Sequence, residues 1–266
     1  MTKANLVEII VVLDRSGSMS TVRNDTIGGF NTFVNDQKVQ AKGEVKLTLV
    51  QFDDQYEVNY NGRQIQEVPA LSEVTYIPRG MTALLDAVGK TINTVGDRLA
   101  KTPEAERPSL VIFVTLTDGQ ENSSKEFKLD QIKTMIEHQT SKYNWQFVFL
   151  GADQNSFQAA SMGFTASNTY NYANAKTADT FTYLSRGISN VMAEPDCMMA
   201  CSSAGSIGDM MRDMSGTSAG TSSDPTAPVM DTIASLIQAT SSSAKMMAGL
   251  KNAQVKVKDS TNEPTN

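Results

Sequence analysis

The chain has 266 residues, a formal charge of −6 and a hydrophobic content of 40%, enough to bury one sizeable core with room for an α/β domain and an appendage. Its 23 Lys and Arg against 29 Asp and Glu, with no basic run, exclude the electrostatic footprint of a nucleic-acid binder. Cys197 and Cys201 are the only cysteines, which excludes a disulfide framework and suits a reducing compartment.

The first residues, Met1 to Asn5, lead into a strand-length apolar run interrupted by Glu8. That is neither a signal-peptide core nor a membrane span, so a cytoplasmic location with no membrane partner is expected. The run continues unbroken through Ile9-Ile10-Val11-Val12-Leu13, the pattern of a strand buried on both faces. Asn24 or Asp25 can cap a following helix with Ile27, Phe30 and Val34 at helical spacing. Val45 to Phe52 and Tyr56 to Tyr60 read as strands, and the short Asp53-Asp54-Gln55 link makes them an antiparallel hairpin at a sheet edge. From Ala83 to Leu99 the stripe Leu84, Val88, Ile92, Val95 and Leu99 predicts a helix with Thr82 as its N-cap.

Leu110 to Val114 is a second unbroken apolar run and a second buried strand. Leu129, Ile132 and Ile136 mark another helix, and Trp145 to Leu150 another strand. Asp153 can cap a short helix ending near Gly163. Tyr170 to Tyr172 is a final edge strand, and a helix through Phe181, Leu184, Ile188 and Val191 closes the domain. Strands alternating with helices imply an α/β fold: a doubly wound, mostly parallel sheet with one antiparallel edge hairpin and helices on both faces.

The first buried strand ends in Asp14-Arg15-Ser16-Gly17-Ser18. Alternate residues of an extended or gently turning chain point the same way, so the oxygens of Asp14, Ser16 and Ser18 can meet one small hard cation. A lone D-x-S-x-S is equally an Asx or Ser turn. Two later positions favour the cation: Thr82 opens a helix, and Asp118 in Leu116-Thr117-Asp118-Gly119 follows the second buried strand. Open α/β sheets bind ligands beyond the carboxyl ends of their strands, where these residues are expected to gather.

These five residues resemble the metal-ion-dependent adhesion site (MIDAS) of the von Willebrand factor type A family: D-x-S-x-S, then a lone Thr, then a lone Asp. The resemblance extends from about residue 6 to about residue 192. It implies a vWA, Rossmann-like fold in which Ser16 and Ser18 bind Mg²⁺ or Mn²⁺ directly. Thr82 is then a switchable ligand, and Asp14 and Asp118 act through water. It also implies a protein partner that presents Asp or Glu to the metal, and no catalysis. Free-standing bacterial and phage members resemble cytoplasmic adaptors for AAA+ ATPases, chelatase-type complexes or stress systems. A subunit of a larger assembly such as a phage virion is an alternative, in which the C-terminal segment makes the contacts. A metal-dependent phosphohydrolase is a further alternative, but Ser16 stands where haloacid-dehalogenase-like phosphatases carry their second acid, and the single histidine lies far from the motif.

Three other features have competing readings. Asp86 either joins the surroundings of the metal or is a first-turn carboxylate favoured by the helix dipole. His138, at a polar helix end, is expected to be solvated. Cys197 and Cys201 among Met192, Met210, Met211 and Met214 match a soft-metal site in principle, though adaptable packing is the simpler reading. The domain is expected over residues 1–195. Its Ser/Gly/Met-rich C-terminal extension divides into a linker or mobile loop (196–228), an amphipathic helix through Val229, Ile233, Leu236, Ile237 and Met247 (229–251), and a polar tail (252–266).

Overall fold

Two unbroken apolar runs form the centre of the sheet. They are β1 (Lys3–Asp14) and the strand Pro108–Thr117, paired in parallel from Val7 opposite Leu110 to Leu13 opposite Leu116. The structure, a computed structural model, describes residues 2–41, 43–152, 156–173, 176–193 and 206–215. In chain order the remaining elements are α1 (Arg23–Gln40), β2 (Glu44–Phe52), β3 (Tyr56–Gln64), α2 (Leu84–Lys101), the central β4 just named, α3 (Leu129–Tyr143), β5 (Gln146–Ala152), α4 (Ser156–Ser161), β6 (Thr169–Tyr172), α5 (Thr177–Ala193) and α6 (Ile207–Ser215).

The strand order is β3-β2-β1-β4-β5-β6, with β2 and β3 antiparallel and every other pair parallel. This mixed six-stranded sheet is the doubly wound α/β fold expected from the alternation of elements, with the antiparallel hairpin at one edge. Because β1 and β4 carry apolar side chains on both faces, helices cover both. One core joins Ile9, Val11, Ile112 and Val114 to Phe30 and Phe33 of α1 and to Phe181, Leu184 and Ile188 of α5. The other joins Ile10, Val12, Phe113 and Phe149 to Val88 and Ile92 of α2 and to Ile132 and Ile136 of α3. Gly29 allows α1 to approach α5 closely, since a Cβ there would lie 2.5 Å from the Phe181 ring.

Three local expectations are corrected. Thr82 does not cap α2, whose cap position is Ala83 with no side-chain bond. The first N–H groups of that helix are taken by another loop, which frees the Thr82 hydroxyl. Neither Asn24 nor Asp25 caps α1: a 3₁₀ turn over Gly17–Val22 runs straight into the helix, so both already lie in its first turn. Within 196–228, residues 207–215 are a helix with Ile207 and Met211 buried against α5. Two apolar side chains one turn apart suffice for packing although the surrounding composition is that of a linker. Asp153, Cys197, Cys201, the remainder of 196–205 and 216–228, and the expected helix (229–251) and tail (252–266) lie outside the described residues.

Candidate functional site

Successive strands are laid outward on one side of the sheet from β1 to β3 and on the other from β4 to β6, so the carboxyl ends of the parallel neighbours β1 and β4 open a crevice at the switch point. Asp14 is the last residue of β1 and Thr117 the last of β4. Asp14 is fully buried. Its Oδ1 accepts the Ser16 N–H at 2.6 Å and its Oδ2 accepts the Thr117 hydroxyl at 2.6 Å. The Thr117 oxygen in turn accepts the Gly119 N–H at 3.0 Å.

The five predicted side chains are brought together here. Ser16 Oγ and Ser18 Oγ lie 3.1 Å apart, and Ser18 Oγ donates to Asp118 Oδ1 at 2.6 Å. A Cβ placed on Gly119 would stand 2.7 Å from Thr82 Oγ1 and 3.4 Å from both Asp14 Oδ2 and Ser16 Oγ. Three oxygens from two separate segments thus surround one small space, beside a third segment at Gly119, that any side chain at position 119 would invade. Ser16 and Thr82 are buried, whereas Ser18 is exposed and Asp118 half-buried, so the cluster opens to solvent on one side. Burial pushes the Asp14 carboxyl up to about 6, against the opposing effect of the Thr117 and Ser16 hydrogen bonds. Burial also raises Asp118 above its ordinary value.

Three hydroxyls with two carboxylates around a cavity of this size fit a small, hard, oxygen-seeking divalent cation. They do not fit a soft or imidazole-seeking metal, and among the described residues no three His, Cys, Asp or Glu side chains cluster as metal ligands.

Supporting residues that sequence reasoning missed surround the cluster. Arg15, inside the motif, is buried. Its Nε donates to Asp53 Oδ2 at 3.0 Å and its Nη1 to Glu57 Oε2 at 2.6 Å, while Arg79 Nε donates to the same Asp53 oxygen at 2.9 Å. The Asp53 carbonyl accepts the Ala83 N–H at 2.9 Å, and the Gly80 carbonyl accepts the Gly17 N–H at 3.2 Å. The motif loop, the hairpin tip and the Thr82 loop are thereby tied together. Tyr76, fully buried, donates its hydroxyl to the Asp14 carbonyl at 2.6 Å. The one signal available beforehand was strand alternation, which puts Thr117 on the face of β4 shared with Phe113 and Thr115, toward α2.

Asp86 stands in the first turn of α2, as one of its two readings has it, but its carboxylate is taken up by the backbone of another loop. Burial alone would raise it, but the backbone N–H groups of Lys125, Phe127 and Glu126 hold its carboxyl below the usual range. His138 is exposed on α3 and stands edge-on to Tyr143. It borders a groove of about 690 Å³ between α2 and α3, near Trp145 at the amino end of β5, the end of the sheet opposite the cluster. Among the described residues no helix is long and apolar enough to cross a membrane.

The von Willebrand factor type A domain model matches residues 8–187. The chain belongs to the von Willebrand factor type A family. Solved structures with this vWA fold are similar at low identity. Proximal thread matrix protein 1 from the mussel byssus is 15% identical, with 70% of this chain and 47% of that chain covered and a TM-score of 0.48. The same mussel protein with a zinc-occupied MIDAS motif is 17% identical, with 76% and 47% covered and a TM-score of 0.45. The vWF domain of the type V pili tip protein Mfa5 from Porphyromonas gingivalis is 12% identical, with 70% and 96% covered and a TM-score of 0.49. The chain spans about half the length of the mussel protein. No curated protein matches the chain significantly.

Proposed function

We propose that this vWA domain is a Mg²⁺-dependent protein-interaction module, with Mn²⁺ able to substitute, that captures an Asp or Glu side chain of a partner protein. The observation that carries the reading is the convergence of Thr82 Oγ1, Asp14 Oδ2 and Ser16 Oγ on one point beside Gly119, next to the Ser16–Ser18–Asp118 chain of hydrogen bonds. Ser16, Ser18 and Thr82 would hold the cation, with Asp14 and Asp118 fixing its bound waters. When bound, the cation supplies an electrophilic position for an anionic oxygen, because neutral hydroxyl ligands leave its charge largely uncompensated. The open side at Ser18 and Asp118 gives the partner's carboxylate its approach.

The loop leading to Thr82 also suits a protein partner. Val74, Ile77 and Met81 are 82%, 49% and 52% exposed, which offers apolar contact around the charged centre. We propose no catalysis of its own for the domain. The second acid of a phosphohydrolase is absent at Ser16, and His138 lies at the opposite end of the sheet. A cytoplasmic adaptor role, with an AAA+ ATPase or an assembly subunit as partner, is the form of this function that the resemblance to free-standing bacterial and phage members implies.

The test is affinity capture from the native host's lysate with the full chain in Mg²⁺, the full chain in EDTA, and Asp14→Ala in Mg²⁺, alongside Mg²⁺ titration by calorimetry. A partner held only by the metal-loaded wild type supports the module. Identical captures in all three arms sink it.

A further inference from the structure

The loop after β4 is joined to the start of α2 by side chains that the metal reading leaves unused. Asn122 holds the Thr82 backbone at both ends: its Oδ1 accepts the Thr82 N–H at 2.9 Å, and its own N–H donates to the Thr82 carbonyl at 3.0 Å. One turn into α2, Asp86 reaches the other way. Its Oδ2 accepts the Lys125 N–H at 2.9 Å, and its Oδ1 accepts those of Glu126 and Phe127 at 2.9 and 2.8 Å. Glu121 returns the contact, accepting the Leu85 N–H at 2.9 Å through Oε2 and the N–H groups of Ser123 and Ser124 through Oε1. Ser124 Oγ donates to Glu121 Oε2 at 2.7 Å and accepts the Asp86 N–H at 3.0 Å.

The N–H groups of Leu85 and Asp86 at the start of α2 and the amides of residues 125–127 are thus satisfied across the gap between two segments rather than within either one. Thr82 lies at one margin of this joint and Asp118 at the other. We propose that Asn122, Glu121 and Asp86 are positioning residues that clasp the Thr82 segment to the Asp118 segment, so that these two arms of the cluster are assembled before any cation arrives. The proposal rests on the metal reading above. Its physical content is preorganisation: the ordering of two distant segments is done by folding, so metal binding does not bear that entropy. A second consequence concerns motion. Thr82 cannot shift toward a cation by itself, because Asn122 grips both its backbone groups and the 119–127 loop must travel with it.

Asn122 is exposed, so truncating it leaves the fold intact. The experiment compares the full chain, Asn122→Ala, Asn122→Asp and Asp86→Asn. Mg²⁺ affinity is read by calorimetry, the environment of bound Mn²⁺ by its electron paramagnetic resonance line shape, and amide exchange at Lys125, Glu126 and Phe127 is followed in EDTA. Asn122→Ala is expected to lose roughly 10–100-fold in metal affinity, the usual effect of removing a group that orients a ligand, and to alter the Mn²⁺ line shape at an unchanged melting temperature. Asn122→Asp keeps the acceptor and holds affinity near that of the wild type; Gln120→Asp added to Asn122→Ala supplies the same charge without that acceptor and does not restore it. In EDTA the three amides are protected in the wild type, and in Asp86→Asn the Lys125 amide, which loses its Oδ2 acceptor, exchanges faster. Wild-type affinity in Asn122→Ala, or unprotected amides in the metal-free wild type, overturns the clasp alone. Failure of the wild type to bind Mg²⁺ or Mn²⁺ overturns the metal reading and the clasp's positioning role with it.

Discussion

The hydroxyl of Thr117, the last residue of β4, donates to Oδ2 of Asp14, the last residue of β1, at 2.6 Å. The same hydroxyl lies 3.1 Å from the Gly119 carbonyl and accepts the Gly119 N–H, so Asp14 is the nearer of its two acceptors. Thr117→Val removes that donor at nearly constant volume. The expected result is an Asp14 carboxyl held still more firmly in its protonated form, and a Mg²⁺ affinity lower by roughly tenfold or more. Calorimetric titration of the two proteins checks this, and equal affinities would exclude a role for the pair.

Asp14 also predicts opposite pH trends for the metal-free and metal-loaded protein. Its folded value, about 6, lies above its ordinary 3.8 because of burial. The folded state therefore binds more protons than the unfolded state across that window. The contribution of Asp14 to stability is fully present below 3.8 and is lost as pH rises through about 6, a change of about 3 kcal/mol at most. A cation that requires the ionised carboxylate binds progressively better over the same range. Thermal melts in EDTA and in Mg²⁺ should separate above about pH 6 and converge below it. Asp14→Asn should abolish the separation.

Gly29 is the contact point between α1 and α5, with the Phe181 ring 2.5 Å and the Ala178 Cα 3.2 Å from a Cβ built there. Gly29→Ala should therefore destabilise the domain by about 1–3 kcal/mol through overpacking, despite alanine's better helix propensity. Denaturant unfolding measures the loss. Mg²⁺ affinity should stay unchanged, since the contact lies on the face of the sheet opposite α2.

Glu8 sits fully buried in β1, where its Oε1 accepts from Arg98 of α2 and from the Thr48 hydroxyl at 2.8 Å. Its Oε2 has no hydrogen-bond partner among the described residues. Arg98→Met would strand that carboxylate and should cost about 3–5 kcal/mol. Adding Glu8→Gln to the same protein should recover most of the loss. Chemical denaturation of the single and double variants tests the coupling.

The alternation of apolar runs and helical stripes made the strands and helices legible, because burial on two faces or on one stripe leaves a periodic trace in the residues themselves. Within the site, Asp14, Ser16 and Ser18 were legible from their spacing at a strand end, and Thr82 and Asp118 from their place at the starts and ends of elements. Helix beginnings were misread at Thr82, Asn24 and Asp25 for a shared reason. A capping residue is recognised from local sequence, yet here a preceding 3₁₀ turn and a distant loop supply what a cap would. Nothing nearby in sequence reveals that the partners of Asp86 and Asn122 are backbone groups of another segment.

The sequence by itself determined the order of elements, the doubly wound sheet and the chemical character of the cluster. Those properties depend on residue type and short-range spacing, and a motif of alternating oxygens ending a buried strand carries both. Only the tertiary structure decided which supports hold the cluster. The Thr117 bond to Asp14, the Arg15–Asp53–Arg79 tie and the clasp between Thr82 and Asn122 join residues far apart in the chain. They meet because parallel strands bring their carboxyl ends to one rim, where backbone groups released by each ending element need partners and take them from whichever segment lies opposite.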